Sequence, residues 1–293
     1  AGNRDQFIQI SDRRLTSPDG SLVDDESNKS ILLQCANARL AIGFTGLAGC
    51  GSFNTRNWLL SALNECSLPD RTAENLFNRL AVRATEQFRR LLIPQARKRL
   101  TIMATGYLDH HNPPLGGLAV ISNCQNLDTG EHSVEALDGF RSFFREERRP
   151  NAGDIALFFH VGTLPPVPPR DSAKVLELVS TRKPAKAIVG KLVEIFRDCS
   201  ENPLGGNFIG KQLMSTIIPC ERGRTIQCGY HSDTPRQETY FPDQVLVVSD
   251  KLHMNVINFS VGPTAPDQAP ISGPRLPPGQ TCWCGSGQKF KRC

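Results

Sequence analysis

A run of prolines divides the chain into a long body and a short tail. Six prolines fall among Gly, Ala, Gln and Ser residues after Gly262, at positions 263, 266, 270, 274, 277 and 278. Proline fixes φ and lacks an amide donor, so such a segment favours extended polyproline geometry over a packed element. The sequence therefore predicts a body over 1–262, a semi-rigid linker over 263–279 and a separate terminal module over 280–293.

The overall composition is that of an ordinary folded protein. Of the 293 residues, 39% are apolar and 22% are charged, which excludes a largely disordered chain. The longest apolar runs, such as Ile155–Phe159, are far shorter than the roughly 18 residues that a bilayer helix needs, so we expect no membrane insertion. The net charge of +5 is too small to predict nucleic-acid binding, which is the less favoured partner class.

The cysteines fall into two groups. Three of the ten lie within the last twelve residues, and the other seven are scattered singly through the body. Scattered cysteines without a secretory leader are typical of a reducing compartment, where they pack as small hydrophobes. We therefore expect a cytoplasmic protein in which seven cysteines serve packing: Cys35, Cys50, Cys66, Cys124, Cys199, Cys220 and Cys228.

Apolar periodicity predicts strands and helices in successive groups along the body. A doubly wound fold would alternate strand and helix one by one, so this grouping predicts a layered α+β domain with two stacked sheets between helical layers. The charged segment 141–149 is interpreted as a connection. The predicted strands include 7–10, 31–33, 40–44, 100–106, 118–123, 155–161, 212–218, 244–249 and 256–259, and the predicted helices are 55–64, 70–92, 173–180 and 186–199.

Three segments near the N-terminus resemble the start of a proteasome β-type subunit. They are Ile10–Thr16 (ISDRRLT), Asp24–Lys29 (DDESNK) and Ile42–Ala48 (IGFTGLA). The family is that of the N-terminal nucleophile hydrolases, which share a four-layer αββα sandwich and use the first mature residue, Thr, Ser or Cys, as both nucleophile and base. The resemblance implies amide or peptide bond hydrolysis, a protein or peptide substrate and a homo-oligomer. By motif position it implies four catalytic-site residues, namely Asp12, Arg14, Lys29 and Gly46.

Elementary chemistry explains why these residue types belong together. A hydroxyl is a weak nucleophile until a nearby base and a positive field stabilise its oxyanion, and Lys29 would supply that field. Asp12 beside it would keep the lysine charged and oriented. The backbone N–H of Gly46 would point at the oxyanion of the tetrahedral intermediate, and a residue without Cβ lets a substrate approach closely.

The nucleophile itself is expected farther ahead of Asp12 than this sequence reaches. Residues 2–5 (GNRD) are interpreted as the turn of a hairpin whose first strand would carry that nucleophile. We hypothesise that the natural protein is longer, because the side chain of Ala1 has no nucleophilic atom. The chain as given should then be inert as an enzyme of this class. The alternative is a non-catalytic scaffold of the same fold that uses the tail for binding.

The tail CWCGSGQKFKRC resembles the SEC-C motif, a small zinc-binding element appended to many proteins as an adaptor. The motif implies Zn²⁺ ligands at Cys282, Cys284 and Cys293, with the fourth ligand expected directly after the third cysteine. Two thiols from a tight loop and a third returned by a Gly-Ser-Gly turn suit the tetrahedral preference of zinc. Because so short a module has almost no core, metal binding would supply its folding free energy.

One further cluster of candidate ligands is the run Asp109-His110-His111-Asn112. It precedes two prolines, and we interpret it as a polar loop in preference to a metal site.

Overall fold

The computed structural model describes residues 1–16, 21–25, 27–67, 72–126, 135–146, 156–162, 167–202, 208–232, 243–246 and 260–261. The chain divides into two units, Ala1–Val261 and Gly262–Cys293. The second unit, with the predicted linker and terminal cysteines, lies outside the described residues, and its organisation stays a prediction.

The described part of the first unit is a mixed α and β structure. It contains four α-helices: α1 (Thr55–Ser67), α2 (Ala73–Arg90), α3 (Pro169–Ser180) and α4 (Ala185–Glu201). Its strands are β1 (Gln6–Asp12), β2 (Leu15–Thr16), β3 (Leu22–Asp24), β4 (Ser30–Cys35), β5 (Ala38–Gly46), β6 (Gly49–Cys50), β7 (Phe53–Asn54), β8 (Leu100–Leu108), β9 (Leu115–Ser122), β10 (Arg141–Glu146), β11 (Leu213–Pro219), β12 (Gln227–His231), β13 (Asp243–Leu246) and β14 (Ser260–Val261).

Two sheets form the centre of this unit. One has the strand order β10-β9-β8-β5-β4-β13 and the other the order β1-β11-β12-β14. Neighbouring strands are antiparallel except for the parallel pairs β13–β4 and β12–β14. Short pairs β2–β3 and β6–β7 lie outside these sheets. The prediction of a sheet-rich α+β domain is confirmed at this level.

Apolar side chains explain how the elements pack. In α2, Leu76, Leu80, Ala84 and Phe88 recur every four residues and are buried. One buried cluster joins α1 and α2 to β4, β5, β8 and β9. A second joins α3 and α4 to β1 and β11. A third lies between the two sheets and includes Phe7, Leu32, Tyr107 and Ile218. Each sheet therefore packs against a helix pair, and the two sheets share an apolar cluster.

Arg39 joins the two sheets at one end. Its guanidinium donates to both carboxylate oxygens of Asp109, at 2.8 and 3.0 Å, and to the carbonyls of Pro219 and Cys220, at 2.9 and 2.8 Å. It also lies 5.8 Å from the ring centroid of Tyr107. Because Arg39 belongs to β5 and Pro219 to β11, one buried side chain cross-links the sheets.

Two sequence interpretations need correction. The segment interpreted as a connection over 141–149 contains β10, a strand paired antiparallel with β9. Its side chains are only partly buried or exposed, so its sequence lacks the apolar alternation that predicts a strand. The strand expected over 155–161 is not regular in the described residues 156–162. There, Leu157 forms an isolated bridge to Gly2, and Ala156 and Phe158 pack against an apolar cluster.

The scattered cysteines agree with a packing role. None of the seven forms a disulfide bond; Cys50 and Cys220 are partly buried, and the other five are buried. Burial raises the pKa of the Cys35 thiol to about 12 and that of Cys228 to about 11. Within the described part of the chain, no helix is long and apolar enough to cross a membrane.

Candidate active site

A buried ion pair joins the end of β1 to the start of β4. The Nζ atom of Lys29 lies 3.1 Å from both carboxylate oxygens of Asp12. The lysine and aspartate side chains retain 10% and 17% of their accessible surface. Oδ2 of Asp12 also accepts from the backbone N–H groups of Arg14, at 3.0 Å, and Gly210, at 3.2 Å. Asp12 is thus held by one charged and two neutral donors.

Local structure explains why Lys29 points into this cluster. Asn28 Oδ1 accepts a 3.0 Å hydrogen bond from the backbone N–H of Ser30, which fixes the turn into β4. Ser30 pairs with Gly43 in β5, and its hydroxyl lies 3.3 Å from that of Thr216 in β11. Lys29 therefore lies where β4 emerges between the two sheets, facing the end of β1.

Arg14 contributes to this region through two different groups. Its backbone N–H binds Asp12, whereas its guanidinium makes a two-bond ion pair with Asp25, at 2.9 and 3.1 Å. The hydrogen bond that the guanidinium donates to Asp25 raises the pKa of Arg14 above its ordinary value. The side chain of Arg14 thus ties the end of β1 to the segment after β3, and the sequence analysis assigned no role to Asp25.

Gly210 is a second residue of the site that the sequence analysis missed. A Cβ at this position would lie 2.8 Å from Cβ of Arg14 and 3.0 Å from Oδ1 of Asp25. The backbone can donate to Asp12 only because no side chain intervenes. Gly210 ends the sequence Gly-Gly-Asn-Phe-Ile-Gly, and no local pattern there indicates that its backbone would contact Asp12.

Gly46 is the last residue of β5. It lies near Lys29, which directly precedes the neighbouring strand β4. The antiparallel register pairs Ser30 with Gly43, so Lys29 and Gly46 lie at the same end of this strand pair. Gly46 has φ of +106°, and a Cβ there would lie 2.2 Å from the carbonyl oxygen of Arg99. Only glycine fits that backbone and that contact. Asp12, Lys29 and the Arg14 backbone are thus joined by hydrogen bonds, with Gly46 at the neighbouring strand end.

Two further polar side chains of β1, those of Gln9 and Ser11, share one face of the strand. The side chain of Gln9 lies against Gly43, and its Oε1 is buried without a hydrogen-bond partner. The hydroxyl of Ser11 is likewise buried and unpartnered. Gln9 also lines a cavity of about 80 Å³ whose other walls include Ala1, Thr105 and Phe158. Buried unpaired polar atoms are uncommon in folded proteins. The side-chain oxygens of Gln9 and Ser11 can therefore accept hydrogen bonds that the described residues do not donate.

The turn expected over residues 2–5 is present. Gly2 forms an antiparallel bridge to Phe7, and the backbone N–H of Asn3 donates to the carbonyl of Gln6 at 3.0 Å. The hydroxyl of Tyr107 donates to the carbonyl of Asn3 at 2.8 Å, which anchors the turn to β8. Residues 1 and 2 therefore run antiparallel to β1 along its edge.

The chain was compared with protein-family models, with curated proteins and with solved structures. A family model for the SEC-C motif matches residues 280–293. Among solved structures, the chain is similar to "Anbu (ancestral beta-subunit)" from Yersinia bercovieri, with 12% sequence identity and a TM-score of 0.40, over 73% of this chain and 78% of that one. A TM-score this low does not by itself assign a fold. No curated protein matches the chain.

Proposed function

We propose that residues 1–262 form an N-terminal nucleophile hydrolase domain, an αββα sandwich that cleaves amide or peptide bonds. The observation that carries the proposal is the Lys29–Asp12 pair, with both N–O distances 3.1 Å, buried at strand ends between the sheets. The packing of one helix pair on each sheet supports the same fold. Localisation in the cytoplasm and assembly into a homo-oligomer belong to the same proposal.

In this proposal Lys29 supplies the positive charge of the site. An ammonium group beside the attacking hydroxyl or thiol stabilises its anionic form, and so lowers the cost of nucleophilic attack. Asp12 orients the ammonium group, and is itself held by the backbone N–H groups of Arg14 and Gly210. Lys29 and Asp12 then act as one preorganised unit, in which neither side chain must move during the reaction.

Gly46 and Arg14 receive different roles. The N–H of Gly46 is the proposed oxyanion donor, because Gly46 ends β5 on the same side of the β4–β5 pair as Lys29. Its missing Cβ makes room for the carbonyl oxygen of Arg99, not for a substrate. The guanidinium of Arg14 is engaged by Asp25, so its proposed role is to position Asp12 through the chain turn. Arg14 is therefore a positioning residue and Lys29 a catalytic one.

The proposed nucleophile is a Thr, Ser or Cys ahead of β1, upstream of this sequence. The test is to express the chain with its natural upstream sequence, expose each candidate as the first residue, and treat the protein with an electrophilic probe such as an epoxyketone. We expect labelling of that residue and turnover of a peptide-amide panel. Replacing Lys29 with Met should lower both rates by about 100-fold, because a charge that stabilises the developing anion is lost.

The matched control is Lys174→Met, which breaks an exposed ion pair with Glu177 on α3. Its labelling rate should equal that of the parent chain. Labelling is measured at temperatures where circular dichroism shows each variant folded, so that loss of structure is not mistaken for loss of chemistry. An equal rate in Lys29→Met and the parent chain would exclude the proposed role of Lys29.

We also propose that Cys282, Cys284 and Cys293 bind Zn²⁺ and that the tail recruits a protein or peptide partner. The match of the SEC-C motif to 280–293 and the donor set of three thiols support this. When bound, the ion would fold a segment too short to have a core of its own. The test is zinc content of the full chain by mass spectrometry before and after all three residues are changed to Ser. Recruitment predicts that these changes slow turnover of a protein substrate and leave probe labelling intact.

A non-catalytic scaffold of the same fold is the second candidate. It is favoured by the saturation of Asp12, whose oxygens already accept from Lys29, Arg14 and Gly210. A carboxylate satisfied in this way also serves to lock strand ends together. Absence of labelling at every exposed upstream Thr, Ser or Cys would favour this function over the hydrolase.

A further inference from the structure

The loop between β8 and β9 brings two histidines to a glutamate at the end of β10. His110 Nε2 lies 3.5 Å from Oε1 of Glu146, and His111 Nε2 lies 3.5 Å from Oε2. One ligand atom from each residue lies within 4.8 Å of the others. The two imidazole rings have centroids 3.9 Å apart. Three metal-ligating side chains therefore converge on one point.

The sheet register explains this convergence. His110 and His111 follow Leu108, the last residue of β8, and Glu146 is the last residue of β10. Glu146 pairs with Gly117 near the start of β9, so the end of β10 lies next to the loop that leads into β9. The interpretation of 109–112 as a polar loop is correct for the backbone. The sequence could not indicate the third ligand, Glu146, because β10 was interpreted as a connection and not as a strand.

The distances favour a metal over a direct hydrogen bond. A nitrogen–oxygen hydrogen bond spans about 2.7–3.2 Å. Two ligands of a tetrahedral ion with bonds of about 2.1 Å are about 3.4 Å apart, close to the 3.5 Å found for both histidine–glutamate pairs. In addition, Nε2 of His111 is buried, and no residue that the structure describes forms a hydrogen bond with it. A bound ion would satisfy that nitrogen, and buried polar atoms are otherwise rarely left unpaired.

Among the described residues, the site has three protein ligands. Asp109 is the adjacent carboxylate, but both of its oxygens accept from Arg39, at 2.8 and 3.0 Å. His110 and His111 also line a groove of about 930 Å³. The side chain of His110 is 41% exposed, so water can reach the site and complete the coordination.

We propose that His110, His111 and Glu146 form a binding site for a divalent transition-metal ion of the zinc type, separate from the terminal cysteines. Two imidazoles and one carboxylate are ligands that suit zinc and similar ions, whereas Mg²⁺ and Ca²⁺ prefer oxygen alone. The proposal is independent of the hydrolase function. Its structural consequence is a clip that fastens β10, an edge strand, to the β8–β9 loop.

The experiment uses the full chain with Cys282, Cys284 and Cys293 changed to Ser, so that the tail thiols no longer contribute. Zinc is added, excess is removed by dialysis, and bound zinc is measured by mass spectrometry. We expect one equivalent that a large excess of Mg²⁺ does not displace. His111→Gln or Glu146→Gln should each remove it or weaken its affinity at least tenfold. Zinc should also raise the midpoint of thermal unfolding in the background chain and not in these variants.

Two further variants control for nonspecific zinc binding and for loss of folding. His160→Gln removes an imidazole from a different segment and should leave the bound zinc unchanged. His110→Gln changes the most exposed ligand, so it tests the site even if another variant fails to fold; circular dichroism monitors folding in each case. The proposal is overturned if the background chain binds no zinc, if the ligand variants retain it, or if His160→Gln loses it equally.

Discussion

The ammonium nitrogen of Lys29 lies 3.1 Å from each carboxylate oxygen of Asp12, although Asp12 ends β1 of one sheet and Lys29 directly precedes β4 of the other. Both side chains are largely buried, and two backbone N–H groups complete the hydrogen bonding of the carboxylate. A buried pair of this kind costs desolvation energy, and removing only one partner leaves the other charge without compensation. The pair is therefore sensitive to single substitutions.

Replacing Lys29 with Met should lower the free energy of unfolding by about 3 kcal/mol, because Asp12 is then left buried with two neutral donors only. Urea denaturation measures this change. Lys174→Met provides the comparison, since its ion pair with Glu177 is half-exposed and should contribute less than about 0.5 kcal/mol. Equal losses in the two variants would contradict the structural importance of the Lys29–Asp12 pair.

Replacing Arg39 with Lys should also destabilise the protein, by about 3 kcal/mol. A lysine keeps the charge but cannot bind Asp109 with two parallel bonds and reach the carbonyls of Pro219 and Cys220 as well. The reference variant is Arg83→Lys, at an exposed ion pair with Glu65. We expect its unfolding midpoint in urea to stay near that of the parent chain, and a similar shift in both variants would argue against the cross-link.

Two glycines should respond to alanine in opposite directions. Gly46→Ala should cost about 2 kcal/mol or more, because Cβ would meet the carbonyl oxygen of Arg99 at a positive φ. Gly190 lies within α4, and its Cβ would meet nothing within 4 Å. Gly190→Ala should therefore stabilise the chain by about 0.5–1 kcal/mol through helix propensity. Thermal unfolding of both variants tests this, and stabilisation by Gly46→Ala would be inconsistent with the observed backbone.

Stability should fall as the pH drops below neutral because of His231. Burial lowers the pKa of this histidine to about 4, and the positive charge of Arg197 acts in the same direction. The unfolded chain, with an ordinary pKa near 6.5, takes up the proton first as pH falls, so the loss runs from about pH 6.5 down to about pH 4.

The loss from His231 between about pH 7.5 and pH 5 should be on the order of 2 kcal/mol, measured by urea denaturation at each pH. His231→Gln removes this titration and retains a polar group near the hydroxyl of Ser215, which lies 2.9 Å from His231 Nε2. The variant should show a flatter dependence on pH over this range. An unchanged dependence would mean that other groups cause the loss.

The sequence predicted those elements whose apolar positions follow a regular period. The strand 7–10, the helix containing Leu76 and Phe88, and the strand 100–106 all appear with nearby bounds. By contrast, β10 and β12 were not predicted, because they are short and carry charged or glycine residues on partly exposed strands. Their pairing partners, not their own composition, hold them in the sheets.

The candidate active site was likewise only partly predictable from the sequence. Motif position alone indicates four candidate residues, namely Asp12, Arg14, Lys29 and Gly46. It does not indicate that Arg14 contacts Asp25 or that the backbone N–H of Gly210 donates to Asp12. The convergence of His110 and His111 on Glu146 depends on the register of β9 and β10. Residues distant in sequence meet only through such register, which no local pattern encodes.

The sequence by itself determined the α+β class, and it predicts the division into body, linker and tail and the candidate site residues near the N-terminus and in the terminal module. The class and the division follow from apolar periodicity and proline content, and the site residues from resemblance to family motifs; all of these are local properties of the chain. Only the tertiary structure decided which charges are paired, which polar atoms are buried, and which side chains from different strands meet. Those outcomes depend on sheet register and on burial, because a charge is stabilised or destabilised by what surrounds it once the chain is folded.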